Sequence, residues 1–182
     1  TFPAPADRAV LQTQLSLMRE RYGYEDILVI DTDGKVHLSL NESADQLHEE
    51  AQPYLAEAFA NGSPVITSLH RTPNGSPHFG VIAPFFADTD SGAPLGAVVL
   101  WIDATDFLFP LVQSWPVPSE SAETLLVRGE GDHVLFLNDL RFKENTALTL
   151  TVPLERTDVP AVMAVTGTEG IVRGLDYRGV PV

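Results

Sequence analysis

The sequence has no cysteine, which excludes a disulfide framework and any thiolate metal centre. Cationic residues are scarce: 11 Lys and Arg stand against 25 Asp and Glu, a formal charge of −14. Phosphate backbones are gripped by clustered Lys and Arg, so no nucleic acid is expected as a partner, and the same sign opposes an anionic membrane surface. No run approaches the roughly eighteen apolar residues of a spanning helix. No signal-peptide pattern or initiator Met opens the chain, and GVPV ends it in mid-pattern; both ends are expected to be cuts within a longer protein.

Catalytic and metal signatures are also lacking. The five histidines, His37, His48, His70, His78 and His133, form no HxxxH or HExxH pair, so no metal site and no cofactor are expected from their spacing. There is no Gly-x-Ser-x-Gly elbow, and Gly129-Glu130-Gly131-Asp132 lies between two strand candidates rather than before a helix. Neither an activated nucleophile nor a phosphate loop is expected, and no residue is assigned a catalytic role. Asp31, Asp33 and Glu42 fall at places 1, 3 and 12 of a possible calcium loop. Place 6, which needs glycine, is Val36, so the segment reads as a hairpin.

What is present is apolar patterning. The chain has 182 residues and is 44% hydrophobic, enough for one domain or two small ones. Leu11, Leu15, Met18 and Tyr22 recur at helical spacing before Gly23, predicting an amphipathic helix over 7–22. Residues 25–42 then read as strand, Asp33-Gly34 turn and alternating strand. Ser43 and Gln46 suggest a capping box for a helix carrying Leu47, Ala51, Tyr54, Leu55, Ala58 and Phe59, with Pro53 expected to kink it. Strands are predicted over 64–69, 79–86 and 95–102, joined by short turn-rich links and therefore antiparallel. A helix carrying Leu108, Leu111, Val112 and Trp115 follows, broken at Pro116-Val117-Pro118-Ser119.

Beyond that break the hairpin returns. Overlaying 25–42 on 122–139 matches Leu28 with Leu125, Gly34 with Gly131, Leu38 with Leu135, Leu40 with Leu137 and Asn41 with Asn138. A repeated unit is the reading, with the boundary at the proline pair: residues 1–115, then 116–182. The second copy continues with a strand over 147–154, a short helix at 160–165 and strand-turn-strand over 171–182. It has no counterpart of strand 95–102, so its sheet is expected to be incomplete.

ILVIDTDGKV, then APLGAVVLWID ending at Asp103, then EGIVRGLDYRGVPV, resemble in that order the double Cache (PDC, PAS-like) sensor domains of bacterial membrane-anchored receptors. The resemblance implies an α+β fold: a PAS-like antiparallel sheet flanked by helices, with a second, partly truncated PAS-like unit. It implies an extracytoplasmic, periplasmic-side module that binds a small molecule in the first repeat. The membrane-anchored parent would be a sensor histidine kinase, with a diguanylate cyclase or chemoreceptor as alternatives. In amino-acid-binding members an aspartate at the place of Asp103 holds the ligand's amino group. The family's tyrosine and Arg-x-Trp-Tyr run are absent, and Leu69-His70-Arg71 stands near the comparable strand.

The candidate ligand residues are His70, Arg71, His78, Phe79, Trp101 and Asp103. In an antiparallel sheet these strand ends supply a cation, an aromatic wall and a carboxylate, the few convergent polar groups of a small-molecule site. Arg71 beside His70 favours a carboxylate ligand; the alternative is a solvated ion pair beside a surface Trp. The rival function is a ligand-free module that forms a homodimer through the apolar face of the first helix.

Overall fold

The computed structural model describes residues 5–41, 45–72, 75–87, 92–113 and 122–182. Two compact units are present, one formed by 1–72 with 78–104 and the other by 73–77 with 105–182. The expected boundary prolines lie outside the described residues; the division falls after Ala104.

In the first unit, α1 (Pro5–Tyr22) ends where Gly23 takes φ +71° and its amide, with that of Tyr24, returns to the Arg19 carbonyl. β1 (Asp26–Ile30) and β2 (Val36–Ser39) form the expected hairpin around Gly34, φ +78°. Asp31 caps that turn: its carboxylate accepts from the amides of Asp33 and Lys35, both at 3.0 Å, and pairs with His37 Nε2 at 2.8 Å. These oxygens hold the turn, as the hairpin reading requires; Glu42 lies outside the described residues.

The next helix differs from expectation. Ser43 is not among the described residues, and 45–47 run back beside the hairpin: Val36 N donates to Asp45 O, and Leu47 N to Gly34 O. A 3-10 turn at Glu49–Ala51 leads into α2 (Gln52–Asn61), which places Pro53 in the first helical turn. A first-turn amide needs no helical acceptor, so Pro53 starts this helix instead of kinking it. Gly62, φ +63°, closes it.

Of the predicted strand 64–69 only β3 (Val65–Ile66) forms, and a second short strand, β4 (His70–Arg71), starts just beyond it. Between them Thr67 breaks the regular ladder: its amide donates to Gly80 O, and its hydroxyl accepts from Gly80 N, both at 2.8 Å. β5 (Pro77–Phe86) and β6 (Pro94–Asp103) are long. The sheet order is β2-β1-β6-β5-β3, with β4 paired to β5, and β1, β2, β3, β5 and β6 pair antiparallel.

Strand alternation gives this sheet two faces. Ile27, Val29 and Leu38 pack with Leu11 and Leu15 of α1 on one. Leu28, Ile30, Ile82, Ala97, Val99 and Trp101 pack with Leu47, Leu55 and Ala58 on the other. All five residues of β1 are buried: Ile27 to Ile30 as their continuous apolar run predicts, and Asp26 as a buried carboxylate.

The second unit contains α3 (Leu108–Gln113), β7 (Val127–Glu130), β8 (His133–Phe136), β9 (Thr151–Pro153) and α4 (Pro160–Val165). Its three strands form an antiparallel β7-β8-β9 sheet, whose core joins Val134 and Phe136 to Val159 and Val162. The strand-turn-strand expected over 171–182 is reduced to one bridge, Leu175 with Pro181, because Asp176 ties the chain into a tight turn. Its carboxylate accepts from the amides of Arg178 and Val180 and from Arg178 Nε.

The asparagines matched in the repeat do similar work. Asn41 Nδ2 donates to Glu25 O, and Asn138 Nδ2 to Thr124 O. Each clasps the end of its hairpin to the residues leading into it.

Candidate functional site

The α2 face of the first sheet carries apolar residues along most of its length and changes character at one end. In the β5–β6 register His78 lies opposite Asp103, and Gly80 opposite Trp101. β1 brings Asp26 opposite Trp101 from the other side, and Glu25 N donates to Trp101 O at 2.8 Å. β4 adds His70 beside β5, and the segment before α2 adds His48.

Aromatic packing orders the cluster. The His78 imidazole stacks on Trp101 at 4.6 Å and 3°. His70 meets His78 edge-on at 4.4 Å, and His48 lies 5.5 Å from Trp101 and 5.8 Å from His78. Gly80 makes the stack possible, because a Cβ there would come within 2.6 Å of the Trp101 ring. Trp101 is 3% exposed, and its Nε1 has no hydrogen-bond partner among the described residues. An unsatisfied buried donor costs about 1–3 kcal/mol.

The hydrogen bonds define the tautomers. His70 Nδ1 is 2.9 Å from the Ser68 carbonyl, which can only accept, so that nitrogen carries the proton. His78 Nδ1 is 3.2 Å from Glu25 Oε2, and an ionised carboxylate likewise accepts. The remaining nitrogens, His70 Nε2 and His78 Nε2, face one another at 2.8 Å. Three imidazole nitrogens, from His48, His70 and His78, lie within 4.8 Å of one another; no other group of metal-capable side chains converges in this way among the described residues.

Electrostatics favours neutral rings. Burial, then the neighbouring His70 and His48, pushes His78 from its ordinary 6.5 down to about 3, against the pull of Asp103. Burial and His70 also lower His48, against Glu50. Glu25 is raised by burial first, then by Asp103 and Asp26. Glu25 and Asp103 therefore border a cluster in which His48 and His78 are held toward their neutral forms.

Four of the six candidates, His70, His78, Trp101 and Asp103, come together here. Arg71 lies on an exposed position of β4. Phe79 alternates onto the opposite face, in register with Ile102. Sequence reasoning missed His48 and Glu25. His48 sits in a segment read as helix, and Glu25 precedes β1 with nothing local to mark it. The absence of paired histidines in the sequence could not register this group, because its members come from three separate segments.

The second unit holds a cleft of about 290 Å³ beside Gln113, Glu123, Asp139 and Arg141. Its polar groups are already engaged: Arg141 Nη1 donates to Ala122 O, the Arg141 amide to Glu123 Oε2, and Gln113 Nε2 to Asp139 O. The histidine cluster is the better candidate.

No protein-family model matches this sequence, and no curated protein sequence matches it. Solved structures do. The ligand-binding domain of the Pseudomonas aeruginosa amino acid chemoreceptor PctC, in complex with GABA, aligns with TM-score 0.53 at 15% identity, over 96% of this chain and 70% of that one. An extracellular ligand-binding receptor from Desulfohalobium retbaense aligns with TM-score 0.51 at 15% identity, over 86% of this chain. The chain spans about a quarter of that receptor, 26% of its length. With its α+β architecture and antiparallel sheet, this chain shares its fold with these ligand-binding domains.

Proposed function

We propose that this chain is the extracytoplasmic small-molecule-sensing domain of a membrane-anchored signalling protein, a sensor histidine kinase, with a chemoreceptor or diguanylate cyclase as the alternative parent. The observation that carries this reading is the convergence of His48, His70, His78, Trp101 and Asp103 at one end of the α2 face, on a fold shared with extracellular ligand-binding domains. No described helix is long and apolar enough to cross a membrane, so anchoring would belong to other parts of the parent. Signal transmission would be a population shift: the ligand biases the unit by its differential affinity for two conformations, and by no more.

A carboxylate ligand, suggested by Arg71 beside His70, would meet Glu25 and Asp103 as well as the basic groups. A cation, or a ligand held through one, meets those carboxylates favourably. The test is a thermal-shift screen of the 182-residue protein against metabolites, in metal-free and metal-supplemented buffer. Stabilisation that Trp101→Ala or Asp103→Asn removes supports the reading. No stabilisation by any compound in either buffer overturns it.

A second reading is favoured by α1, on which Val10, Leu17, Met18 and Tyr22 are exposed by 59%, 63%, 40% and 61%. These side chains suit self-association with a second copy, as a ligand-free dimerisation module. Sedimentation across concentrations decides it, since a strict monomer removes this reading.

A further inference from the structure

We propose that His48, His70 and His78 form a binding site for a divalent transition-metal ion of the zinc class, with Glu25 orienting His78 from behind and a fourth coordination position left to water or to an acceptor group of a small ligand. This rests on reading the cluster as the sensing site.

His70 Nδ1 is committed to the Ser68 carbonyl and His78 Nδ1 to Glu25. Both Nε2 atoms then present lone pairs, and they face each other at 2.8 Å. Two acceptors at that distance repel unless a cation lies between or beside them. A shared proton would serve two rings, but a third, His48, also offers a nitrogen within 4.8 Å. Three convergent imidazoles are what a metal ion uses and a proton does not need.

The outer contacts match those of metal-bound histidines. Such rings donate their second nitrogen to a carboxylate or backbone carbonyl, which fixes the tautomer and raises ligand basicity. His78 has the carboxylate and His70 the carbonyl. The Trp101 stack holds His78 in place, while His48 and His70 are only half-buried and can adjust. At a Zn–N distance of about 2.0–2.1 Å, tetrahedral ligand nitrogens stand about 3.3 Å apart. The 2.8 Å pair therefore opens by about 0.5 Å and the widest spacing closes by up to about 1.5 Å, within reach of rotating side chains.

Donor chemistry selects the ion. Imidazole nitrogens suit zinc, copper and nickel, whereas calcium and magnesium take oxygen ligands. Glu25, Asp26 and Asp103 offset the added charge, which a chain of net −14 also draws in at long range.

The test uses tag-free 182-residue protein stripped with chelator and titrated with Zn²⁺ by calorimetry and thermal shift, with Co²⁺ as the optical probe. One ion per chain is expected, with visible ligand-field absorption for Co²⁺ and imidazole ¹⁵N shifts at His48, His70 and His78 but not at His37 or His133. Glu25→Gln should weaken binding by about 10–100-fold, and His48→Gln or His70→Gln by more. His78 is buried, so His48→Gln and His70→Gln, at half-exposed positions, keep the test independent of folding. The proposal is overturned if neither ion binds, or if binding survives both histidine substitutions. Stabilisation of the stripped protein by an organic compound, with no metal binding, would remove the metal and leave the sensing role standing. Silence toward metals and metabolites alike would remove both.

Discussion

Gly80 lies directly opposite Trp101 in the β5–β6 register, and a Cβ at position 80 would meet the Trp101 ring at 2.6 Å. The smallest residue in β5 thus makes room for the largest in β6. Gly80→Ala should force the indole off His78, with an overpacking cost of about 1–3 kcal/mol. Urea denaturation followed by circular dichroism measures the loss, and ligand or metal affinity should fall with it. An unchanged midpoint and unchanged binding would show that the ring yields freely.

Asp26 is a buried carboxylate, 4% exposed. It accepts from the amides of Ile27, Leu40 and Asn41 and from the Ser39 hydroxyl, at 2.7 to 3.1 Å. Asp26→Asn turns one acceptor oxygen into a donor and leaves at least one of these groups unpaired. A loss of about 1.5–3 kcal/mol is expected, because bonds to a charged acceptor are the stronger kind. Ser39→Ala removes only one partner and should cost about 1 kcal/mol. Equal effects in chemical denaturation would contradict this ranking.

Asp176 gives the second unit an acid-sensitive turn. Burial pushes its carboxyl upward, but the Val180 amide, the Arg178 side chain and the Arg178 amide together hold it below its ordinary 3.8. A carboxyl lowered on folding contributes stability above its unfolded value, and that contribution drains as pH falls through the lower folded value. Wild-type melting should therefore fall as pH drops below about 4, whereas Asp176→Asn should melt lower at neutral pH and lack that part of the acid dependence. Parallel melting-versus-pH curves for the two proteins would exclude this role.

The two sides of α1 should respond differently. Leu15 is 7% exposed and packs with Ile27, Val29 and Leu38, so Leu15→Ala should cost about 2–5 kcal/mol. Leu17 is 63% exposed, so Leu17→Ser should change stability by no more than about 0.5 kcal/mol. If α1 carries a dimer contact, Leu17→Ser lowers the sedimenting mass while leaving the melt unchanged. A wild-type protein that is already monomeric removes that contact.

Local chemistry made much of the first unit legible. The Asp33-Gly34 turn and the apolar run of β1 each dictate structure within a few residues, and each is found. The alternation of β2 is interrupted, because a register shift against β1 sends Val36 to the α2 face while Leu38 and Leu40 pack on the α1 face. The segment before α2 was not legible, because Val36 and Gly34 recruit residues 45–47 through backbone bonds that no side-chain pattern announces. The site was legible by halves. Trp101 and Asp103 share a strand end, and His70 and His78 flank one turn, so an antiparallel reading brings them near. Phe79 shows the limit of that reasoning: its distance from the site along the chain is right, but strand alternation puts it on the other face. His48 needed the full path of the chain, since it joins neither ladder.

Trp101 is one of two tryptophans in the chain, and it lies flat against His78 at 4.6 Å. An excited indole in van der Waals contact with an imidazole is sensitive to that ring's charge and to any ion bound on its far side. The protein therefore carries its own optical reporter. Filling the histidine cluster should register as a change in the Trp101 emission, separated from that of Trp115 by reading it in Trp115→Phe protein, which makes occupancy readable in solution without label, tag or probe molecule.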